Sequence, residues 1–301
     1  MFDVIVLHFL RFQNIMLFKK LLTAYSLFFL PAITLAAEPP LRVLTTIKPL
    51  QLIAAAVVDA EPGVRIDLLL PPDVSPHDYQ LRPSDRAKVA DADVIFWVGP
   101  GLELFLQRVL TASNGRVITE AFQPDGDHHS DAHIWMDPLA AAAIAEQMAA
   151  RLIQLRPARA ATWRNNAAAL RQRLVALDAE LGHTLRRNKA AQGYLVSHDA
   201  FGGFERRYGL QHAATLSDGE ERPPGPRRIA AIREGIARGE IGCALLEPQF
   251  DRKLVQTVLG GTAVQQIMVD SLAGNIAVGT RGLEDFYRGV GRAFSACLQV
   301  K

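Results

Sequence analysis

Short apolar runs alternate with amphipathic stretches along most of the chain. Residues 41–47 read as a strand, 50–58 as a helix and 64–70 as a second strand, stopped by Pro71-Pro72. A helix is expected over 82–90 with Ser84 as its cap. A strand over 93–98 ends at Gly99-Pro100-Gly101, and a helix over 103–110 and a strand over 116–119 follow. The alternation resumes after residue 190, with strands over 193–197, 211–216, 242–246 and 264–269. Helices over 200–208, 226–238, 251–259 and 283–298 separate and close them. Strands and helices in this order predict a parallel α/β architecture. No repeat is visible at residue level.

The middle of the chain has a different period. Residues 138–155 form an Ala-rich helical stretch. Pro157 then opens a segment with no further Gly or Pro until Gly182. Its apolar positions, Trp163, Ala167, Leu170, Leu174, Leu177, Leu181 and Leu185, step by three and four and mark one face of a helix. A helix over 157–188 would be roughly 48 Å long. No second segment of this kind exists to form a coiled coil with it, so a rigid strut between two lobes is expected. The fold predicted is therefore two parallel-sheet α/β lobes, 37–156 and 190–301, joined by one long linking helix over 157–189. Such a strut implies limited hinge motion and local loop rearrangement.

The front of the chain stands apart. Phe18-Lys19-Lys20 is a short basic region, residues 21–36 are almost wholly apolar, and Thr34-Leu35-Ala36 supplies small residues for cleavage. This is the layout of a secretory signal peptide over 1–36, with Met16 the expected start. The run is short, contains Pro31 and ends in small residues, which argues against a membrane anchor. No cysteine lies near the cleavage point, so a lipid anchor is not expected. Cleavage would leave residues 37–301, with basic and acidic residues in equal number.

Composition narrows the function classes. Of 301 residues 49% are apolar and 21% charged, the formal net charge is +2, and nothing points to nucleic acid as a partner. Cys243 and Cys297 are too few for a Cys-rich metal cluster and enough for one disulfide. Export favours the bonded form, which would close a loop of about 54 residues; two buried free thiols are the alternative.

The polar residues at the predicted strand ends carry the chemistry. His77 follows the second strand, His198 immediately follows 193–197, and Asp270 immediately follows 264–269. His133 lies after a His/Asp-rich loop, before Ile134-Trp135-Met136-Asp137-Pro138. In open parallel sheets ligands bind beyond the strand C-termini. Two of these residues fall in each lobe, so they can meet only in the cleft between lobes. Imidazole with carboxylate suits a first-row transition metal, zinc above all, whereas calcium and magnesium want mostly oxygen. No compact motif joins them. Asp78 and Asp199, each following a proposed ligand, are candidates to hold an imidazole N–H or to cap a helix. Glu247 is a candidate to line the cleft or to pair with an arginine.

Six stretches, taken in order, resemble one family: SPHDYQLRPSD at 75–85, ADVIFWVGPGLE at 92–103, HIWMDP at 133–138, SHDAFGGFERRYGL at 197–210, LLEPQF at 245–250 and DSLAGN at 270–275. The chain is similar to the zinc-binding subunits of bacterial zinc ABC transporters, within the solute-binding proteins for zinc, manganese and iron. The resemblance implies metal at the lobe interface, with His77, His133 and His198 as ligands and Asp270 at the position of the family's carboxylate. It also implies a Cys243–Cys297 disulfide. Manganese and iron members tend to carry a carboxylate where His198 stands, so a third imidazole favours zinc. Zinc members often carry a long His/Asp/Glu-rich loop before the second ligand; here it is only residues 125–132. His128 and His129 within it either catch zinc weakly at the cleft mouth or belong to a solvated loop. Removing 125–131 is expected to leave the main site's affinity almost unchanged.

The function expected is capture of Zn2+ in the periplasm by a monomer and delivery to the membrane permease of an ABC transporter. Manganese or iron capture is the alternative within the family. A secreted zinc hydrolase would need a general base such as the glutamate of HExxH, and no HExxH occurs. A metal-dependent adhesin is a third alternative, one usually anchored to a surface. No GxxxxGK[ST] phosphate loop is present, so the ATPase would be another chain and this one no enzyme.

Overall fold

The computed structural model describes residues 38–111, 117–120, 131–187, 192–217 and 222–300. The expected signal peptide, Met16, His128 and His129 lie outside them. The elements run β1 (Leu41–Thr45), α1 (Lys48–Val58), β2 (Val64–Leu68), α2 (Pro83–Asp91), β3 (Val94–Trp97), α3 (Leu104–Thr111) and β4 (Val117–Glu120). A 3-10 turn (Ile134–Met136) leads into α4 (Pro138–Leu155), and a second (Pro157–Arg159) into α5 (Ala160–Arg187). The second lobe follows as β5 (Gly193–Val196), α6 (Gly202–Tyr208), β6 (Ala214–Thr215), α7 (Pro226–Ala237), β7 (Ile241–Leu246), α8 (Arg252–Leu259), β8 (Gln265–Met268) and α9 (Gly282–Leu298).

Each lobe holds a four-stranded sheet, ordered β2-β1-β3-β4 in one and β6-β5-β7-β8 in the other. Every pairing is parallel. The two sheets thus share one topology with no residue-level repeat behind it. Strand order reverses between β1 and β3 and again between β5 and β7. Crevices that receive ligands open beyond the strand ends at such points. The inner strands β3 and β7 are buried throughout. That follows from helices covering both faces of a parallel sheet.

The long helix begins later than its stripe alone predicts, because Pro157 first sets a 3-10 turn. Its 28 residues span about 42 Å. The expected stripe from Trp163 to Leu185 is its buried face. The helix is not a free-standing strut, however. It packs along α4, α1 and α9, and its buried residues belong to one apolar core that continues from Leu44 and Ile95 in the first sheet to Phe201, Phe204 and Phe294 in the second lobe. Gly291 on α9 permits the closest approach, since a Cβ there would lie 2.4 Å from a Leu181 methyl on α5. A smaller core, including Leu195, Ile232 and Val258, lies elsewhere in the second lobe.

Local details depart from the sequence reading. Ser84 does not cap α2. The helix opens at Pro83, and the buried Asp85 carboxylate accepts the Arg82 N–H at 2.9 Å and the Tyr79 hydroxyl at 2.7 Å. The strand expected over 211–216 shrinks to Ala214–Thr215, an edge position with one neighbour.

Cys243 on β7 and Cys297 on α9 are joined, with Cα atoms 5.5 Å apart and 54 residues of separation. The link ties the last helix to an inner strand. Loop-closure entropy for that span is about 4 kcal/mol in the unfolded chain. Replacing both cysteines by serine should lower stability by about 2 to 4 kcal/mol, measured as a shift in the urea midpoint against the oxidised protein.

Candidate metal centre

Three imidazoles from three separate loops meet beyond the strand ends. His77 comes from the loop between β2 and α2, His133 from the residues preceding the first 3-10 turn, and His198 from the residues directly after β5. One nitrogen of each lies within 4.8 Å of the others. Nε2 of His133 is 3.3 Å from Nε2 of His77 and 3.3 Å from Nε2 of His198. The His133 and His198 rings are buried; His77 is half-buried.

The opposite edges of two rings fix their protons. Nδ1 of His198 lies 2.5 Å from Oε2 of Glu247, whose side chain is fully buried. Nδ1 of His133 lies 3.2 Å from Oδ1 of Asp131. An ionised carboxylate only accepts, so Nδ1 is the donor edge of both rings and Nε2 is the edge each ring offers to a metal ion. Glu247 is itself held. Its Oε1 accepts the Ser271 hydroxyl and the Gln249 amide, and its backbone N–H donates to Ser197 Oγ at 2.9 Å. Burial pushes the Glu247 carboxyl up, but the charge and hydrogen bond of His198, with help from Ser271 and His133, outweigh it and keep the group below its ordinary range. Asp131 behaves alike: burial raises it, and His133 and Arg206 bring it down.

His77 is treated differently. Its backbone N–H donates to Ser75 Oγ at 3.2 Å. Burial, then the neighbouring His133 and His198, lower its imidazole to about 3, with Glu247 acting in the other direction.

The interlobe contacts run directly behind these rings. Trp135 packs edge-on against His133 with centroids 5.3 Å apart, and its indole N–H donates to the Ser271 carbonyl at 2.8 Å. The buried Tyr287 hydroxyl donates to the Trp135 carbonyl at 2.5 Å. Arg207 on α6 forms a two-pronged pair with Asp178 of α5, at 2.6 and 2.8 Å, and reaches Asp137 at 3.5 Å.

Asp270 is not drawn into the imidazole group at that distance. Its two oxygens accept the N–H groups of Leu272 at 2.9 Å and Gly274 at 2.6 Å in its own turn. Burial and the nearby Glu247 raise its pKa against those two bonds. Asp78 and Asp199 are exposed. Asp199 lies instead with Glu205 and His212, where Glu205 already takes the Tyr194 hydroxyl at 2.6 Å and faces His212 Nδ1 at 2.9 Å. Sequence reasoning missed Asp131 as a partner of His133. Asp131 is the last residue of the segment 125–131 whose removal was expected to leave the main site's affinity almost unchanged.

The geometry suits a metal. Tetrahedral zinc with nitrogen ligands at about 2.05 Å puts neighbouring nitrogens about 3.3 Å apart. Fold and site together describe a two-lobed protein whose three imidazole nitrogens converge at a spacing that a transition-metal ion can bridge. Residues 43–289 match the family described as ZnuA, zinc-uptake complex component A, periplasmic, and the chain belongs to that family. A relative from Haemophilus ducreyi, named high-affinity zinc uptake system protein ZnuA, is 33% identical across 94% of this chain and 99% of its own length. Among solved structures, one of ZnuA superposes with a TM-score of 0.72 at 21% identity, covering 84% of this chain and 99% of that one. The solute-binding protein FpvC of Pseudomonas aeruginosa, in complex with Mn2+, superposes with a TM-score of 0.75 at 21% identity, covering 86% of this chain and 98% of that one. These two likenesses establish the fold.

The low basicity of His77 has a consequence for stability. Its pKa is about 3 in the folded protein against 6.5 for the free side chain, so below about pH 6.5 the unfolded chain binds a proton that the native state refuses. Stability of the metal-free protein should therefore fall as pH drops from about 6.5 towards 3. Glu103, raised by burial to about 7, contributes the opposite slope, with stability lost as pH rises through that value. Comparison with His77→Gln isolates the histidine. Melting temperatures of metal-stripped protein at about pH 7 and pH 5 should drop less in the variant.

Proposed function

We propose that this protein captures Zn2+ between its lobes and hands it to the membrane permease of an ABC transporter, driven by a separate ATPase. The observation that carries the reading is the approach of His77 and His198 Nε2 to His133 Nε2, each at 3.3 Å, the spacing of neighbouring ligands in a tetrahedral zinc site. Family membership supports the transport role and the periplasmic setting. Export by a signal peptide over 1–36 and action as a monomer are part of the same reading.

The chemistry required is reversible coordination. His77, His133 and His198 supply three neutral nitrogen ligands. Asp131 and Glu247 place two negative charges on the far side of two of them and offset the charge of a divalent ion. Nitrogen donors favour zinc over manganese, which prefers carboxylate and water. Asp270 has both oxygens already accepting N–H groups of its own turn. Its expected part as the fourth ligand is therefore secondary to that of the three imidazoles.

Metal-stripped protein titrated with zinc against a chelator, with manganese in excess, should hold one zinc per chain, counted by elemental analysis. Alanine at His77, His133 or His198 should weaken zinc by more than about a hundredfold, and Asp270→Asn by less than about tenfold. A loss with Asp270→Asn as large as that of a histidine would make the aspartate a direct ligand. Preference for manganese would keep the fold and overturn the metal.

A further inference from the structure

His133 is the central imidazole, since its Nε2 is 3.3 Å from both of the others. The group behind it, Asp131, belongs to the first lobe and has two oxygens with different tasks. Oδ1 accepts the His133 backbone N–H at 3.0 Å and faces its ring Nδ1 at 3.2 Å. Oδ2 points to the second lobe and accepts from Arg206 Nη2 of α6 at 3.2 Å. The same oxygen rests against the backbone of Gly202, the first residue of α6, where a Cβ would lie 2.7 Å from it. The Asp131 side chain is 13% exposed, and that of Arg206 55%.

We propose that Asp131 is a positioning residue for metal capture, and that Arg206 acts through it, so that the second lobe aligns a ligand carried by the first. The inference rests on the zinc-capture reading and adds to it how the central ligand is held. A carboxylate on Nδ1 fixes both the tautomer and the ring orientation, and an imidazole without one can turn Nε2 away from the metal. Because one oxygen serves the ligand and the other serves α6, the carboxylate cannot keep both contacts if α6 moves. The close fit at Gly202 limits that movement from the other side. Removing the carboxylate should cost about 10- to 100-fold in affinity. Arg206 is half exposed, so its own share is a few-fold.

The test is a cycle of Asp131→Asn, Arg206→Gln and the double variant, with Asp131→Ala alongside. Zinc affinity is read by chelator competition, and bound Co2+ by its visible absorption. Asp131→Ala should lose about 10- to 100-fold in affinity and change the cobalt bands. Asp131→Asn, whose amide oxygen still accepts the Nδ1 hydrogen, should recover part of that loss. Arg206→Gln should lose a few-fold, leave the melting temperature of the metal-free protein unchanged, and add nothing to Asp131→Asn. Wild-type affinity in Asp131→Ala, or independent effects of Arg206→Gln and Asp131→Asn, would overturn the proposal. Absence of tight zinc in the wild-type protein, or its survival in His133→Ala, would instead overturn the capture reading.

Discussion

Three imidazole nitrogens confined to one small volume repel one another unless a cation stands between them. Glu247 and Asp131 face Nδ1 of His198 and His133, which turns the two Nε2 atoms toward each other at 3.3 Å. A divalent ion with nitrogen preference placed among them relieves the repulsion. The two buried carboxylates, one ring away, then balance the ion's charge.

Holding such a site requires a stiff frame, and the frame is built from contacts between the lobes. The apolar core runs without interruption from the first sheet, along the buried face of α5, to the Phe201, Phe204 and Phe294 cluster. Around the site itself the second lobe grips the segment that carries His133. Ser271 takes the Trp135 indole, Tyr287 donates to the Trp135 carbonyl, and Arg207 bridges Asp178 to Asp137. His133 is thus a first-lobe residue by sequence and a cleft residue held from both sides by packing. With a core this continuous, wide hinge opening would expose apolar surface along the whole of α5.

Features that repeat along the chain were legible. The stripe from Trp163 to Leu185 follows directly from helical period, and the alternating strands and helices predict both sheets. The three histidines were legible because each stands in a loop where parallel sheets bind ligands, and because the surrounding stretches resemble one family. Partners brought together by folding were not. Asp78 and Asp199 are adjacent to ligands in sequence, yet both side chains are exposed. Glu247 reaches His198 only because β5 and β7 are paired in the sheet. Its two readings, cleft residue or arginine partner, could not be separated without that pairing. Asp131 stood inside a loop read as dispensable. Ser84 failed as a cap for a similar reason: Asp85 competes for the same turn and is buried against Tyr79.

The three imidazoles are not equivalent, and the difference follows from their surroundings. His133 and His198 are buried and each has a carboxylate at its back. His77 is half-buried, and among the described residues no carboxylate hydrogen-bonds to it. Its low basicity means that it is already unprotonated across the physiological range, so it meets a metal ion with no proton to displace. The other two supply fixed orientation, and His77 supplies a ready lone pair on a loop that packs less tightly. A site with two held ligands and one less constrained can bind a cargo ion firmly and still let it go, which is what separates a carrier from a structural metal centre with every ligand locked.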